Sequence, residues 1–201
     1  MNCLEFKMKL LLENWREYLN EEMVTLEKWP EGYSVEIYKN SSPQNAYEIV
    51  LYSKYGEEGS CYVEKVNIKR KTQQSDDIDC ADAYQLYANL YTMHFEVDKS
   101  SRGFGPFLTD LALELAALDN KLIIPAKLVG GAGTADSERL YNFYLDNRKD
   151  VNKQDINLYC WENFTDSIVS DNTPESFLYL YSKKPEILNS ELSKKVIKII
   201  D

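Results

Sequence analysis

The residues best suited to chemistry stand together mid-chain, where HFEVD runs into KSSRGFGPF and then LTDLALELA. Alternation puts Tyr91, Met93, Phe95 and Val97 on one face and Thr92, His94, Glu96 and Asp98 on the other, the pattern of a strand. Gly103 and Gly105 break it, and Pro106 opens a helix on which Leu108, Leu111, Ala112 and Leu115 share a face. A glycine loop between a strand end and a helix start leaves backbone N–H groups without intrachain partners, and the helix dipole adds positive potential there. The unit predicts a cradle for a phosphate or pyrophosphate. Gly103 and Gly105 would let the anion approach the backbone, while Lys99 and Arg102 would supply charge. Pro106 removes one amide from that cradle. A P-loop is excluded because GxxxxGK[ST] is absent, and the dinucleotide fingerprint lacks its third glycine.

Around this unit stand groups that could move protons. His94 and Glu96 project from one strand face, and either could serve as a general base; the same pair could equally be the polar face of a half-buried strand. Tyr141 and Tyr144 are three apart on a second helix and share a face, as proton donors or as ordinary aromatic packing. A loop at Gly130-Gly131-Ala132-Gly133 offers a second flexible turn, with Thr134 or Asp136 as helix cap.

The elements that must position these groups follow from periodicity. Leu11, Leu12, Trp15, Leu19, Met23 and Leu26 recur at helical steps, so residues 5–28 of an N-terminal segment, 1–30, read as helix. Strands are expected at 33–38, from Tyr47, and over 62–68, with turns at Ser41-Ser42-Pro43 and between Gly56 and Gly59. Residues 71–82 are polar and aperiodic and read as a mobile loop; 84–98 read as extended. A short buried strand is expected at 122–128, a helix from about Ala135 to Arg148, tyrosine-rich strands at 156–161 and 177–181, and a basic amphipathic tail from Ile187 with Lys194, Lys195 and Lys198 as a solvated helix face. The order predicts one α+β domain over residues 1–201: a mixed, mostly antiparallel sheet flanked by helices, with one βαβ crossover around residues 91–128.

Composition narrows the functions. With 201 residues, 44 % hydrophobic and 28 % charged, the chain can bury one core. Fifteen tyrosines favour sheet. A net charge of -10 disfavours nucleic acid as a partner. Four scattered cysteines and one histidine make a zinc site improbable, so no metal is expected and the thiols read as reduced, in a cytoplasmic protein. No apolar run reaches the roughly 18 residues of a membrane span.

The mid-chain segment resembles motif A of the acyl-CoA N-acyltransferase (GNAT) superfamily, Q/R-x-x-G-x-G/A, with Gly103 and Gly105 at the small positions and Ser100 where Gln or Arg is usual. It is closer still to GNAT-like proteins of tailed bacteriophages. They share G-x-G-P-x-L-x-D-x-A-x-E, here Gly103 to Glu114; a helix resembling YYLxNRxDV, here Phe143 to Val151; and a Tyr-rich strand with a Lys-Pro step, here FLYLYSKKPEIL. The resemblance covers roughly residues 84–201. It implies acetyl-CoA or another acyl-CoA held by Val97, Lys99, Arg102, Gly103, Phe104 and Gly105, on a strand that splays from its neighbour to receive the pantetheine arm. It implies Glu96, or else His94, as base toward a small-molecule or protein amine, and Tyr144 rather than Tyr141 as the acid that protonates the leaving thiolate. The alternative is a catalytically inactive GNAT-fold interaction protein: a phage effector binding a host protein in the host cytoplasm, or a virion component.

Overall fold

A computed structural model describes residues 24–67, 80–96, 104–131, 134–165, 169–170 and 172–200. The first strands form a meander. In β1 (Ser34–Lys39), Val35 and Ile37 are buried on one face; Asn40 takes φ 50 and turns the chain into β2 (Asn45–Ser53), which pairs antiparallel with it. The next turn falls at Lys54-Tyr55, earlier than the Gly56 to Gly59 turn expected, and Gly56 with φ 124 already opens β3 (Gly56–Lys65). Helix α1 (Ala81–Tyr87) then precedes β4 (Leu90–Glu96), antiparallel to β3. Helix α2 (Phe104–Leu118) carries the chain to β5 (Leu122–Ile123), parallel to β4, so the expected crossover is present.

After a 3-10 turn at Ala126–Val129 comes α3 (Ala135–Asn147), whose Thr134 and Ser137 cap each other reciprocally. Strand β6 (Val151–Asp155), helix α4 (Leu158–Phe164), strand β7 (Tyr179–Lys183), helix α5 (Ser193–Val196) and strand β8 (Ile197–Ile200) follow. The protein is α+β, with an eight-stranded mixed sheet in the order β6-β7-β5-β4-β3-β2-β1-β8, flanked by helices. Among the described residues, only β4–β5 and β1–β8 pair in parallel.

Two cores lie on opposite faces. Helices α2 and α3 cover one face, where Leu108, Leu111 and Leu115 meet Ile37, Ile49 and Val63. Tyr47 and Tyr91 both donate to Asp119, at 3.0 and 2.9 Å, and pin the end of α2 to two strands. The other core, around Tyr87, Ile124 and Trp161, lies under α1 and α4. A disulfide between Cys80 and Cys160 joins those two helices, so the expectation of reduced thiols is corrected for this pair. Cys61 is a buried thiol.

Several sequence expectations shift. Residues 81–87 are helical, whereas 84–98 were expected to be extended. The strand expected at 122–128 ends at Ile123. The expected strand at 156–161 is largely α4, because the Asn157 side chain accepts from Cys160 N at 3.1 Å and caps a helix. The basic tail ends in a strand, with a helix of only four residues before it. Lys28 closes a turn onto Thr25, so the N-terminal helix does not extend through 24–28; residues 5–23 and 71–79 lie outside the described residues. No helix among those described is long and apolar enough to cross a membrane.

Candidate functional site

Strand β4 is bordered on two sides only over its first half. Leu90 and Tyr91 pair with Leu122 and Ile123, and Ile124 N donates to Tyr91 O at 2.8 Å. The β5 chain then turns away through Pro125 into the 3-10 turn. Among the described residues, Thr92 to Glu96 of β4 pair with β3 alone, His94 facing Tyr62, Phe95 facing Cys61 and Glu96 facing Ser60. Two parallel strands therefore part where β4 runs toward α2.

Helix α2 begins at Phe104, two residues before the expected Pro106. Gly105 thus lies in the first helical turn, outside the loop expected to hold it. A Cβ on Gly105 would meet nothing within 4 Å, and no left-handed backbone conformation demands glycine there. Phe104 is committed to the core, its ring 4.9 Å from Tyr33 and 5.6 Å from Trp29, so only its backbone N–H could serve an anion. Val97, Lys99, Arg102 and Gly103 lie outside the described residues. If first-turn amides hold a ligand closely, Gly105→Ala is expected to leave the unfolding midpoint unchanged or slightly raised, since alanine is the better helix former, and to weaken binding of coenzyme A. Titration calorimetry beside thermal unfolding checks both; unaltered affinity would remove Gly105 from the cradle.

The candidate proton-moving groups separate across the sheet. His94 is exposed on the face opposite α2. Glu96 ends β4, and its side chain lies outside those described. Tyr144 sits on the α2 face with 1 % of its surface exposed; its hydroxyl bonds the Pro106 carbonyl at 3.0 Å and Asp110 Oδ1 at 2.5 Å. Assigned by resemblance as the acid, it is bound into a polar cluster.

That cluster draws together all three segments that carried the resemblance. Arg148 grips Asp110 through two nitrogens at 3.1 and 2.7 Å and Asp150 at 2.8 and 2.6 Å. Lys183 Nζ lies 2.6 Å from Glu114 Oε1 and 3.8 Å from Asp110. Glu114, wholly buried, also accepts from the backbone N–H groups of Ile187 and Leu188, at 3.0 and 2.9 Å. Arg148 holds the Asp150 carboxyl low, at about 2. The cluster fixes the first turns of α2 against the end of α3 and the end of β7.

Tyr141 differs. It is 4 % exposed, and its hydroxyl has no hydrogen-bond partner among the described residues. Its ring lies 5.0 Å from that of Tyr181 on β7. Burial first, then the neighbouring Tyr181 and Cys61, push its pKa up, so it holds its proton. Cys61 is on β3 and Tyr181 on β7, the strands bordering the β4–β5 pair on either side. The i, i+3 spacing identified the shared helix face of Tyr141 and Tyr144 but carried no signal for which hydroxyl would be left unpaired.

Comparison of the chain with protein-family models, curated proteins and solved structures finds no match. No group of three or more His, Cys, Asp or Glu among the described residues is arranged to hold a metal ion.

Proposed function

We propose that the protein is a GNAT-like acyltransferase, of the kind found in tailed phages, that moves an acetyl or short acyl group from acyl-CoA to a primary amine at the place where β4 and β5 part. The observation that carries the reading is the buried, unpartnered hydroxyl of Tyr141, flanked by strands on both sides of that parting. An unpaired buried hydroxyl costs about 1–3 kcal/mol, a cost that a bound ligand can offset.

In this reading the amine approaches from the open face, where His94 is exposed, and the thioester lies along the free edge of β4. The neutral amine attacks the thioester carbon. A backbone N–H of the free edge bonds the oxyanion, and collapse breaks the C–S bond. His94, or Glu96, takes the amine proton; the Tyr141 hydroxyl keeps its proton and hydrogen-bonds the departing thiolate. Tyr144 is a positioning residue that holds the Pro106 carbonyl and hence the first turn of α2.

The test is a pair of phenylalanine variants, assayed after acceptors are screened with acetyl-CoA. Tyr141→Phe is expected to keep full stability, because it deletes an unsatisfied group, and to lower turnover at unchanged coenzyme A affinity. Tyr144→Phe is expected to cost about 1–3 kcal/mol of stability, because Asp110 loses a donor. Full turnover in Tyr141→Phe would end its assignment.

The second reading, a non-catalytic interaction protein, is favoured by the polar cluster: Asp110, Glu114, Tyr144 and Arg148, the residues carrying the phage-type pattern, are taken up in holding elements together. It gains if no amine in a broad screen is acylated.

A further inference from the structure

The second core is closed by two excursions from the sheet. Helix α1 interrupts the chain between β3 and β4, which are antiparallel neighbours, and Val66 N donates to Leu90 O at 3.1 Å across the base. Helix α4 interrupts it between β6 and β7, also antiparallel neighbours, and Ile156 N donates to Leu178 O at 2.9 Å across that base. Strand β5 lies between β7 and β4, so the two helices come from either side of it. It has little pairing of its own: two residues with β4 and one with β7. Under the helices lie Leu90, Ile124, Leu128 and Leu180.

Three non-covalent ties join the helices. Tyr84 stacks on Phe164 with ring centroids 5.2 Å apart, Tyr87 meets Trp161 edge-on at 5.1 Å, and the Tyr87 hydroxyl donates to Asn157 O at 3.2 Å. The covalent tie runs from Cys80, immediately before α1, to Cys160 within α4. Each helix has seven residues, too few to persist unless packed. The backbone bonds at the two bases, by contrast, belong to the sheet and do not pass through the disulfide.

We propose that Cys80 and Cys160 form a redox-sensitive clasp. Oxidised, it locks α1 and α4 over the second core; reduced, it lets both helices lift while the sheet keeps its pairing. The reductant is a dithiol. Its thiolate attacks one sulfur of the pair and expels the other as thiolate; its second thiol then displaces the first. Two electrons pass to the pair, two protons end on Cys80 and Cys160, and the reductant leaves as a cyclic disulfide. Cys80 is wholly buried and Cys160 is 1 % exposed, so attack waits on a local opening. The ring contacts bring the two sulfurs back together, so a disulfide oxidant can reset the clasp. The device does not depend on acyl transfer.

The experiment is amide hydrogen exchange by NMR, without denaturant, before and after dithiothreitol. The full chain carries Cys3→Ser, which leaves the buried Cys61 as its only other thiol. On reduction, the Ala88 and Trp161 amides, bonded to Tyr84 O and Asn157 O, are expected to exchange more than about tenfold faster. The Val66 and Ile156 amides at the bases, and those of β2, should keep their rates, and reoxidation should restore the rest. Combining Cys80→Ser with Cys160→Ser should reproduce the reduced pattern with or without dithiothreitol. Faster exchange throughout β2 on reduction would make the bond a support of the whole fold and overturn the clasp. So would unchanged rates at Ala88 and Trp161, rates that reoxidation does not restore, or a double variant that exchanges like the oxidised chain.

Discussion

Replacing Cys80 and Cys160 with serine, or reducing their bond, is expected to lower the unfolding free energy by several kcal/mol. The bond closes a sequence separation of 80 residues, and the chain-entropy relation gives about 4.5 kcal/mol for a loop of that size. The loss should also be local. Helices α1 and α4 have seven residues each, too few to persist alone, and the bond clamps them over the core that holds Trp161. The rings of Tyr87 and Trp161, 5.1 Å apart, report that core. Trp29 reports the other, through its contact with Phe104. Denaturant unfolding with and without reductant, followed by fluorescence in Trp15→Phe/Trp29→Phe and Trp15→Phe/Trp161→Phe backgrounds that leave one tryptophan each, should show the Trp161 signal moving first. Superimposable transitions in both conditions would mean that the bond contributes nothing.

The second large effect lies in the polar cluster. Glu114→Ala strips Lys183, itself 3 % exposed, of its nearest carboxylate. Breaking one side of a buried ion pair costs about 3–5 kcal/mol. Glu114→Leu combined with Lys183→Met should recover part of that loss, since two apolar groups can replace a buried pair, but not all of it. Glu114 also accepts from Ile187 and Leu188, and those N–H groups would stay unpaired in the double variant. A double-mutant cycle by urea unfolding measures the coupling. A cost for Glu114→Ala below about 0.5 kcal/mol, the range of a plain surface change, would show that the cluster does not hold the fold.

What could be read from the sequence was whatever periodicity alone decides. The alternation from Tyr91 to Glu96 gave β4 and its faces, and the Leu108–Leu111–Leu115 stripe gave α2. The crossover to β5 followed from both. Misreadings fall where a local propensity was overruled. Leu158 to Trp161 are β-prone by type, yet the Asn157 cap and the link through Cys160 place them in a helix. Tyr84 and Tyr87 are aromatic and strand-prone by type, yet they finish a helix tied to the same bond. Ile197 to Ile200 are strand because β1 offers an edge, which composition of the tail does not disclose. For the site, the sequence put Asp110 and Glu114 one helical turn apart but carried no sign that a lysine from β7 and an arginine beyond α3 would close on them. Nor could it separate Tyr141 from Tyr144, since pairing of a hydroxyl depends on atoms brought in from α2.

The pairing of β8 with β1 sets a timetable for biosynthesis. Val35 finds its parallel partner in Ile197, and at about 5–20 residues per second the ribosome needs roughly ten to thirty seconds to make the chain between them. The β1–β4 meander can assemble as it emerges, but over that interval the outer side of β1 presents open N–H and C=O groups to any passing strand. The outer side of β1 is covered only when β8, far along the chain, has been made, so a slower ribosome or a crowded polysome should expose nascent chains to edge-to-edge association before β8 arrives.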